Sequence, residues 1–378
     1  RRWGDAMSAR SVFSTWRVDR IRSITRRVLG GRLRVVETWT YILVFALATA
    51  TVGVILRYHI ARSYRAEMAY WQARQSSVAE ERAQRVSDWL KERRADVQLL
   101  STRPSVRAAL RADDESGRIS GRRDGGLPGL TAVLDDTARF YGYYGAYILD
   151  RNGKVIGRSS LSPPLSPLLV GISQGVARTG SLRIDLMGET PDSTLISFGA
   201  AVFSGPGTAE AGLPPDRLLG VALLVMDASQ TLFPILTRDS VPTRTAETVL
   251  VRRDGNDIVF FSPLRNVPAG SPTFRFSFAT APLPARAAIE GREAFLESAD
   301  YRGVVVLAAT QHVPLTGWGL LRKIDREEAL EEFRHQAVAE GLAAGLLVIL
   351  LGGLLTLHRR HVLTRVLKRE EEKFRALL

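Results

Sequence analysis

Two uncharged apolar runs constrain this chain more than any other feature of it. Trp39 to Leu56 (WTYILVFALATATVGVIL) is eighteen residues long, and Gly341 to Leu357 (GLAAGLLVILLGGLLTL) is seventeen. The second lengthens if it begins at Ala337 and takes in Glu340. At ~1.5 Å of rise per residue, each run can cross a hydrocarbon layer of ~30 Å. A buried core helix seldom stays apolar beyond ~10–14 residues. The reading is therefore two membrane spans, residues 37–57 and the second half of 326–357, around which the rest of the chain has to be arranged.

The charge pattern gives those spans a direction. The formal net charge is +13. Residues 1–36 hold ten Arg against Asp5 and Asp19, and residues 358–378 hold seven Lys or Arg against Glu370, Glu371 and Glu372. The sequence between them is close to neutral, so the basic excess sits on the outer flanks of both spans, which is the positive-inside pattern. Both termini are then cytoplasmic, and residues 58–336 lie on the far side. A basic arm in that position meets anionic lipid, and no nucleic-acid partner is expected. An n-region of thirty-six Arg-rich residues is too long for a cleaved signal peptide, and no small-residue cleavage site follows the apolar run. The chain has no Cys, which excludes disulfide staples and thiolate metal or redox chemistry.

The first outer stretch, 58–101, contains neither Pro nor Gly. Val86, Trp89, Leu90, Val97 and Leu100 recur at three- and four-residue steps, which predicts one face of a long helix. Arg103-Pro104 ends or kinks that helix. The Gly-rich polar stretch 113–129 reads as a loop, without a phosphate-cradle pattern. From Tyr144 the period becomes two. Asn152-Gly153 between two apolar runs is a hairpin signal, and 181–186, 194–203 and 218–226 read as further strands. Residues 204–216 read as an exposed connection. Asp227 can cap a following helix.

The plan then repeats. Residues 248–252 and 258–261 flank Asp254-Gly255-Asn256, the runs 273–278, 293–298, 304–310 and 319–324 follow, and Asp325 can cap the helix leading to the second span. Hairpin glycines about 100 residues apart, and capping aspartates about as far apart, point to a duplicated module. Hairpin connections imply antiparallel sheets.

Four phrases in this order resemble the double Cache sensor region of bacterial transmembrane receptors, over about residues 60–336. They are YILDRNGKVIGRSS (147–160), LLGVALLVMDAS (218–229), ETVLVRRDGNDIVFFSPLR (247–265) and GWGLLRKIDREEAL (317–330). The resemblance implies an α+β chain: a long N-terminal helix followed by two PAS-like modules with antiparallel sheets, flanked by two transmembrane helices. It divides the chain into a basic segment (1–36), the first span (37–57), the outer helix (58–101) and a membrane-distal module (102–238). A membrane-proximal module (239–325), a connecting helix with the second span (326–357) and a cytoplasmic signalling helix (358–378) complete it. It implies a bacterial inner-membrane location, a homodimer and a small-molecule ligand of unspecified identity held by the distal module.

The amino-acid-binding members of that family carry an Arg-x-Trp-Tyr run, a Tyr-x-Asp and an Asp closing the last strand. Here Asp227 matches the closing position, and Arg183-Ile184-Asp185 occupies the place of Tyr-x-Asp. The Arg-x-Trp-Tyr run is replaced by Ser162-Pro163-Pro164-Leu165-Ser166-Pro167. The bidentate Arg that a ligand carboxylate needs would have to be Arg183 or Arg158. The candidate ligand-binding residues are thus Tyr147, Arg158, Arg183, Asp185 and Asp227. Each has a competing structural reading: a helix cap for Asp227, a surface ion pair for Arg183 and Asp185, a core ring for Tyr147, and packing for Tyr141, Tyr143 and Tyr144.

Rival chemistry is thin. Gly171-Ile172-Ser173-Gln174-Gly175 has the nucleophile-elbow spacing, but a hairpin-linked sheet is the wrong setting, and no suitable acid and His follow. No catalytic residue, no cofactor and no metal are expected, because no His, Asp and Glu cluster has ligand spacing. In the last segment Leu363, Leu367, Phe374 and Leu377 form an imperfect heptad seam with Glu370 in it, like a parallel dimeric signalling helix. The expected output beyond it is a histidine kinase, with a diguanylate cyclase next. A chemoreceptor input region and a membrane-anchored binding or adhesion protein are the alternatives.

Overall fold

The computed structural model describes residues 8–119, 128–188, 194–205, 218–237, 243–268 and 273–375. Helix α1 (Ser8–Thr102) is unbroken over 95 residues. It stops two residues before Pro104, whose ring disfavours helical backbone at Arg103 and whose nitrogen has no proton to donate. Helix α2 (Pro104–Ile119) restarts with that proline at its first position, where no donor is needed.

The stretch 113–129, expected as a loop, is partly helical. Helix α2 continues through Asp113 and Asp114 to Ile119, and α3 (Pro128–Tyr141) begins before the stretch ends. Val106, Ala109 and Leu110 bury one face of α2. Beyond them, Asp114 is held by Arg151 at 2.6 Å and Asp113 by Lys154 at 3.5 Å, both from the first hairpin. Residues 120–127 lie outside the described chain, as does most of the connection expected over 204–216.

The chain divides into two compact units, residues 1–68 with 331–378, and residues 69–330. The second unit contains two sheets. Strands β1 (Gly145–Asp150), β2 (Val155–Arg158), β3 (Arg183–Met187), β4 (Leu195–Phe203) and β5 (Leu218–Asp227) form the first. Its order is β2-β1-β5-β4-β3, with every pair antiparallel. Helix α4 (Pro167–Thr179) lies between β2 and β3 in the chain, and short helices α5 (Ala228–Thr231) and α6 (Phe233–Thr237) follow β5. The second sheet comprises β6 (Glu247–Asp254), β7 (Asp257–Phe260), β8 (Phe274–Ser277), β9 (Ala294–Ala299), β10 (Val305–Val313) and β11 (Trp318–Asp325). Its order is β8-β7-β6-β11-β10-β9, again antiparallel throughout, with helix α7 (Leu283–Ile289) before β9.

Without its edge strand β8, the second sheet repeats the order of the first. Helix α7 packs on β6, β9, β10 and β11 as α4 packs on β3, β4 and β5. The α+β architecture implied by the sequence resemblance, a long helix with two PAS-like antiparallel modules, is the one found. One face of α1, from Ala79 through Val86, Leu90 and Val97 to Leu100, shares a continuous core with both sheets. That core takes Ile148, Phe198 and Leu224 from the first sheet, and Leu250, Ala309 and Leu320 from the second. Trp89, on the same face, packs edge-on against Phe198 with ring centres 5.8 Å apart.

The first unit is a pair of helices, the start of α1 and α9 (Glu331–Arg375), which follows the short α8 (Arg326–Ala329). Contacts run from Thr38–Arg359 (2.9 Å) and Tyr41–His358 through His59–Glu340 (3.1 Å) to Tyr64–Phe333. As the α1 number rises, the α9 number falls at nearly the same rate, so the two run antiparallel. Both helices are long and apolar enough to cross a membrane, and their most apolar windows are not buried inside the protein. Side-chain exposure, rather than a core position, is what separates these from the buried helices of a soluble domain.

Candidate functional site

Strand alternation sorts the candidate residues before any side chain is considered. Pairing across the first sheet runs Arg158–Tyr147–Leu223–Gly199–Arg183. The next row on the same face is Gly145–Val225–Ser197–Asp185, and the one after it is Asp227–Leu195–Met187. All five candidates therefore share one face, opposite the face that rests on α1. They do not converge on a point. Arg158 and Arg183 sit four strands apart, which at strand spacing is ~19 Å between backbones. One small carboxylate cannot be gripped by both.

Helix α4 and the loop 159–166 cover this face. Ser166 caps α4, accepting from the Leu169 amide at 3.3 Å, Pro167 occupies the first turn, and Gly180 ends the helix in the left-handed conformation (φ 67°). The helix presses close: a Cβ on Gly199 would lie 2.8 Å from Val176 Cγ2. A Cβ on Gly175 would meet the Arg183 guanidinium, so that side chain runs directly beneath the helix. Leu169 and Ile172 of α4 complete a cluster with Tyr147, Leu149, Leu223 and Val225.

Each candidate occupies a definite environment. Tyr147 is fully buried, its ring lies over Gly145, and its hydroxyl donates to the Pro163 carbonyl at 2.8 Å. Burial pushes that phenol above its ordinary value. Arg158 is exposed at the open end of the row. Arg183 Nη2 lies 3.4 Å from Asp185 Oδ1, and Asp185 Oδ2 is buried with no hydrogen-bond partner among the described residues. Asp227 caps α5 by accepting from the Ser229 amide at 2.8 Å. Among the neighbouring aromatics, Tyr143 is buried and donates to Asp96 at 2.7 Å, whereas Tyr141 and Tyr144 remain exposed.

Ser173, whose elbow spacing the sequence already discounted, lies inside α4, and its hydroxyl donates to the Val170 carbonyl at 2.8 Å. One sequence expectation is corrected. Asp325 holds the residue position of a cap but makes no capping hydrogen bond, because its carboxylate accepts from Arg302 instead. Among the described residues no group of three or more His, Cys, Asp and Glu could hold a metal ion.

The second sheet carries a polar cluster that the sequence reading missed. Lys323 of β11 is buried, with its ammonium 2.7 Å from Glu247 Oε1, bonded to Asp300 and 4.0 Å from the centre of the Tyr301 ring. Tyr301 donates to Glu247 at 3.0 Å, and Arg302 bridges Asp300 and Asp325. A cavity of about 10 Å³ adjoins Lys323 and Asp300, which is room for one water molecule. The available signal was a lysine beside Arg322 in a strand that begins Trp318-Gly319-Leu320-Leu321, followed in space by the Asp300-Tyr301-Arg302 turn. Strand alternation alone did not reveal its partners, which come from distant parts of the sequence.

No protein-family model and no curated protein matches the sequence. Solved structures of similar fold include the sensory domain of the Campylobacter jejuni chemoreceptor Tlp3, at 12% identity and a TM-score of 0.47, covering 72% of this chain and 99% of that one. The V. cholerae histidine kinase DctB sensor domain aligns at 12% identity and a TM-score of 0.45, covering 70% and 99%. A domain of a sensory box/GGDEF family protein from Vibrio parahaemolyticus aligns at 14% identity and 0.46, covering 70% and 99%. The double-module architecture rests on the strand order found twice in this chain, not on these alignments.

Proposed function

We propose that this chain is the sensing and signal-transmitting region of a two-span receptor in the bacterial inner membrane. In this reading residues 102–238 form the membrane-distal, ligand-binding module and 239–325 the membrane-proximal one. The termini are cytoplasmic, the receptor is a homodimer, and the output it drives is a histidine kinase, with a diguanylate cyclase as the next choice.

The observation that carries the ligand-binding half is the Asp185 carboxylate. It is one of five candidate residues on a single sheet face, and its buried Oδ2 has no partner within the described residues. A buried carboxylate oxygen without a donor costs free energy, and a ligand N–H or ammonium supplies what is missing. Arg183 beside it offers a fork for an acidic group on the same molecule. Arg158 and Tyr147 are too distant to share that small ligand's charged end, so they serve as an outer wall or bind a longer one. Asp227 is engaged as a helix cap, and its ligand role is the weakest of the five.

Binding here also provides a mechanism. The face is filled by Tyr147 over Gly145 and by Val176 against Gly199. A ligand seated on it must exchange those contacts, moving α4 and the loop held by Tyr147 and Pro163. The receptor responds to the extent that the ligand prefers one roof position over the other.

The test is a thermal-shift screen of the full chain in detergent against small polar metabolites. A hit is expected to raise the midpoint in the parent and to fail with Asp185→Asn and with Arg183→Gln. A hit whose shift survives both substitutions rejects this face as the site.

A further inference from the structure

The outer end of the helix pair carries an open groove of about 780 Å³. Gly53 and Leu56 lie along one end, Arg57 and Arg65 along its side, and Tyr64 and Phe333 at the other end. The groove straddles a chemical boundary, because the uncharged run of α1 ends at Leu56 and the first charge is Arg57. Gly53 keeps the apolar end open: nothing lies within 4 Å of where its Cβ would be. Tyr64 and Phe333 close the polar end by packing edge to face at 5.5 Å.

The two arginines are eight residues apart, ~12 Å along a helix axis. Helical side chains lean toward the N-terminus, and Arg65 does so measurably, its Nε donating to the Ala61 carbonyl at 3.2 Å. Arg57 leans the same way by that rule, so the two cations keep their axial spacing and stand at successive levels of the groove wall. Between them stands Ala61, also in the groove wall, whose small side chain leaves the space open. The arrangement is an apolar slot leading into a pair of cations at the level where a membrane core would give way to headgroups.

We propose that this groove seats one anionic phospholipid, with its headgroup lying along Arg57 and Arg65 and an acyl chain along Gly53 and Leu56. The lipid would sit in the outer leaflet, beside the point where α1 leaves the membrane, and so would bias the helix that carries the signal. The inference rests on the membrane reading given above.

Native mass spectrometry of the full chain in mild detergent tests it, with phosphatidylglycerol and phosphatidylcholine of identical acyl chains as probes. One phosphatidylglycerol is expected to be retained in preference to phosphatidylcholine. That preference should fall about fivefold with Arg57→Gln and again with Arg65→Gln, the weight of one cation near an anionic surface. Gly53→Leu, which has space for its side chain, should lower retention of both lipids. Equal retention of the two lipids, or an unchanged preference in the double arginine variant, overturns the proposal. So does displacement of the bound lipid by free glycerol phosphate, or a lipid-free species in which a second copy protects the groove. Alkaline carbonate extraction of cell membranes separates the underlying reading: a chain washed off the membrane overturns both, whereas a retained chain without lipid preference overturns only the groove.

Discussion

Lys323 shows what a charge needs in order to sit inside a sheet module. Its ammonium is nearly inaccessible, and it is tolerated because Glu247 and Asp300 neutralise it and Tyr301 covers it. Removing the cation leaves two buried carboxylates facing each other. Lys323→Met is expected to destabilise the protein by ~3–5 kcal/mol, read as a fall in the urea midpoint. A midpoint equal to or above that of the parent would show that the cluster costs as much as it contributes. The same cluster sets an acid limit. Burial opposes the charge on Asp300, but the hydrogen bonds and charge of Lys323 and the Arg302 contacts outweigh it, holding the carboxyl below its ordinary value of 3.8. Glu328 is opposed by burial and held below its ordinary 4.5 by the Thr245 hydroxyl and the amides of Arg244 and Thr245. Groups depressed in the folded state stabilise it fully above their unfolded values and lose that contribution as pH falls through the folded ones. Stability from these two is therefore flat above about pH 5 and falls as the medium is taken below pH 4. A thermal midpoint that declined between pH 7 and 5 would point to other groups.

Helix α4 is the element on which the proposed site depends, and glycines set its distance from the sheet. Gly199→Ala would push a Cβ into Val176, a contact between two fixed elements, and should cost ~1–3 kcal/mol in a denaturation midpoint. Gly175→Ala meets only the mobile end of Arg183, so it should leave the fold's stability nearly unchanged while displacing the guanidinium from Asp185. A hit from the screen should then bind Gly175→Ala more weakly than the parent, by titration calorimetry, and undiminished binding would remove Arg183 from the site. These elements also mark what was legible in the sequence. Hairpin glycines were readable because positive φ leaves little choice: Gly153 and Gly255 have φ of 88° and 61°. The face of α1 was readable from its periodicity. The helices α2, α3, α4 and α7 were not read, although Ser166, Pro167 and Gly180 bracket α4 with ordinary start and stop signals. The proline-rich approach and the two glycines of the Gly-x-Ser-x-Gly stretch lower helix propensity there, which masks those caps. The five candidates could be named from sequence, but their ~19 Å spread could not, since it depends on strand order rather than strand content.

At the scale of the molecule, one helix runs from the apolar span into the core shared by both sheets, and the last helix returns from the second sheet into the other apolar span. No Gly or Pro interrupts α1 between Gly53 and Thr102, so a shift of the roof that moves the sheet has a stiff element to act on. The heptad positions expected to carry the signal onward start at Leu363 on α9; Leu377 lies outside the described residues. The chain contains no Cys, so a cysteine introduced at Leu363 or Val366 reports without background. The central claim, that a ligand on the first sheet changes how two copies meet through α9, is tested by oxidative cross-linking of those single-Cys variants in membranes. A ligand that binds the parent and fails with Asp185→Asn should alter the ratio of cross-linking at 363 to that at 366. An unchanged ratio under saturating ligand would contradict the account.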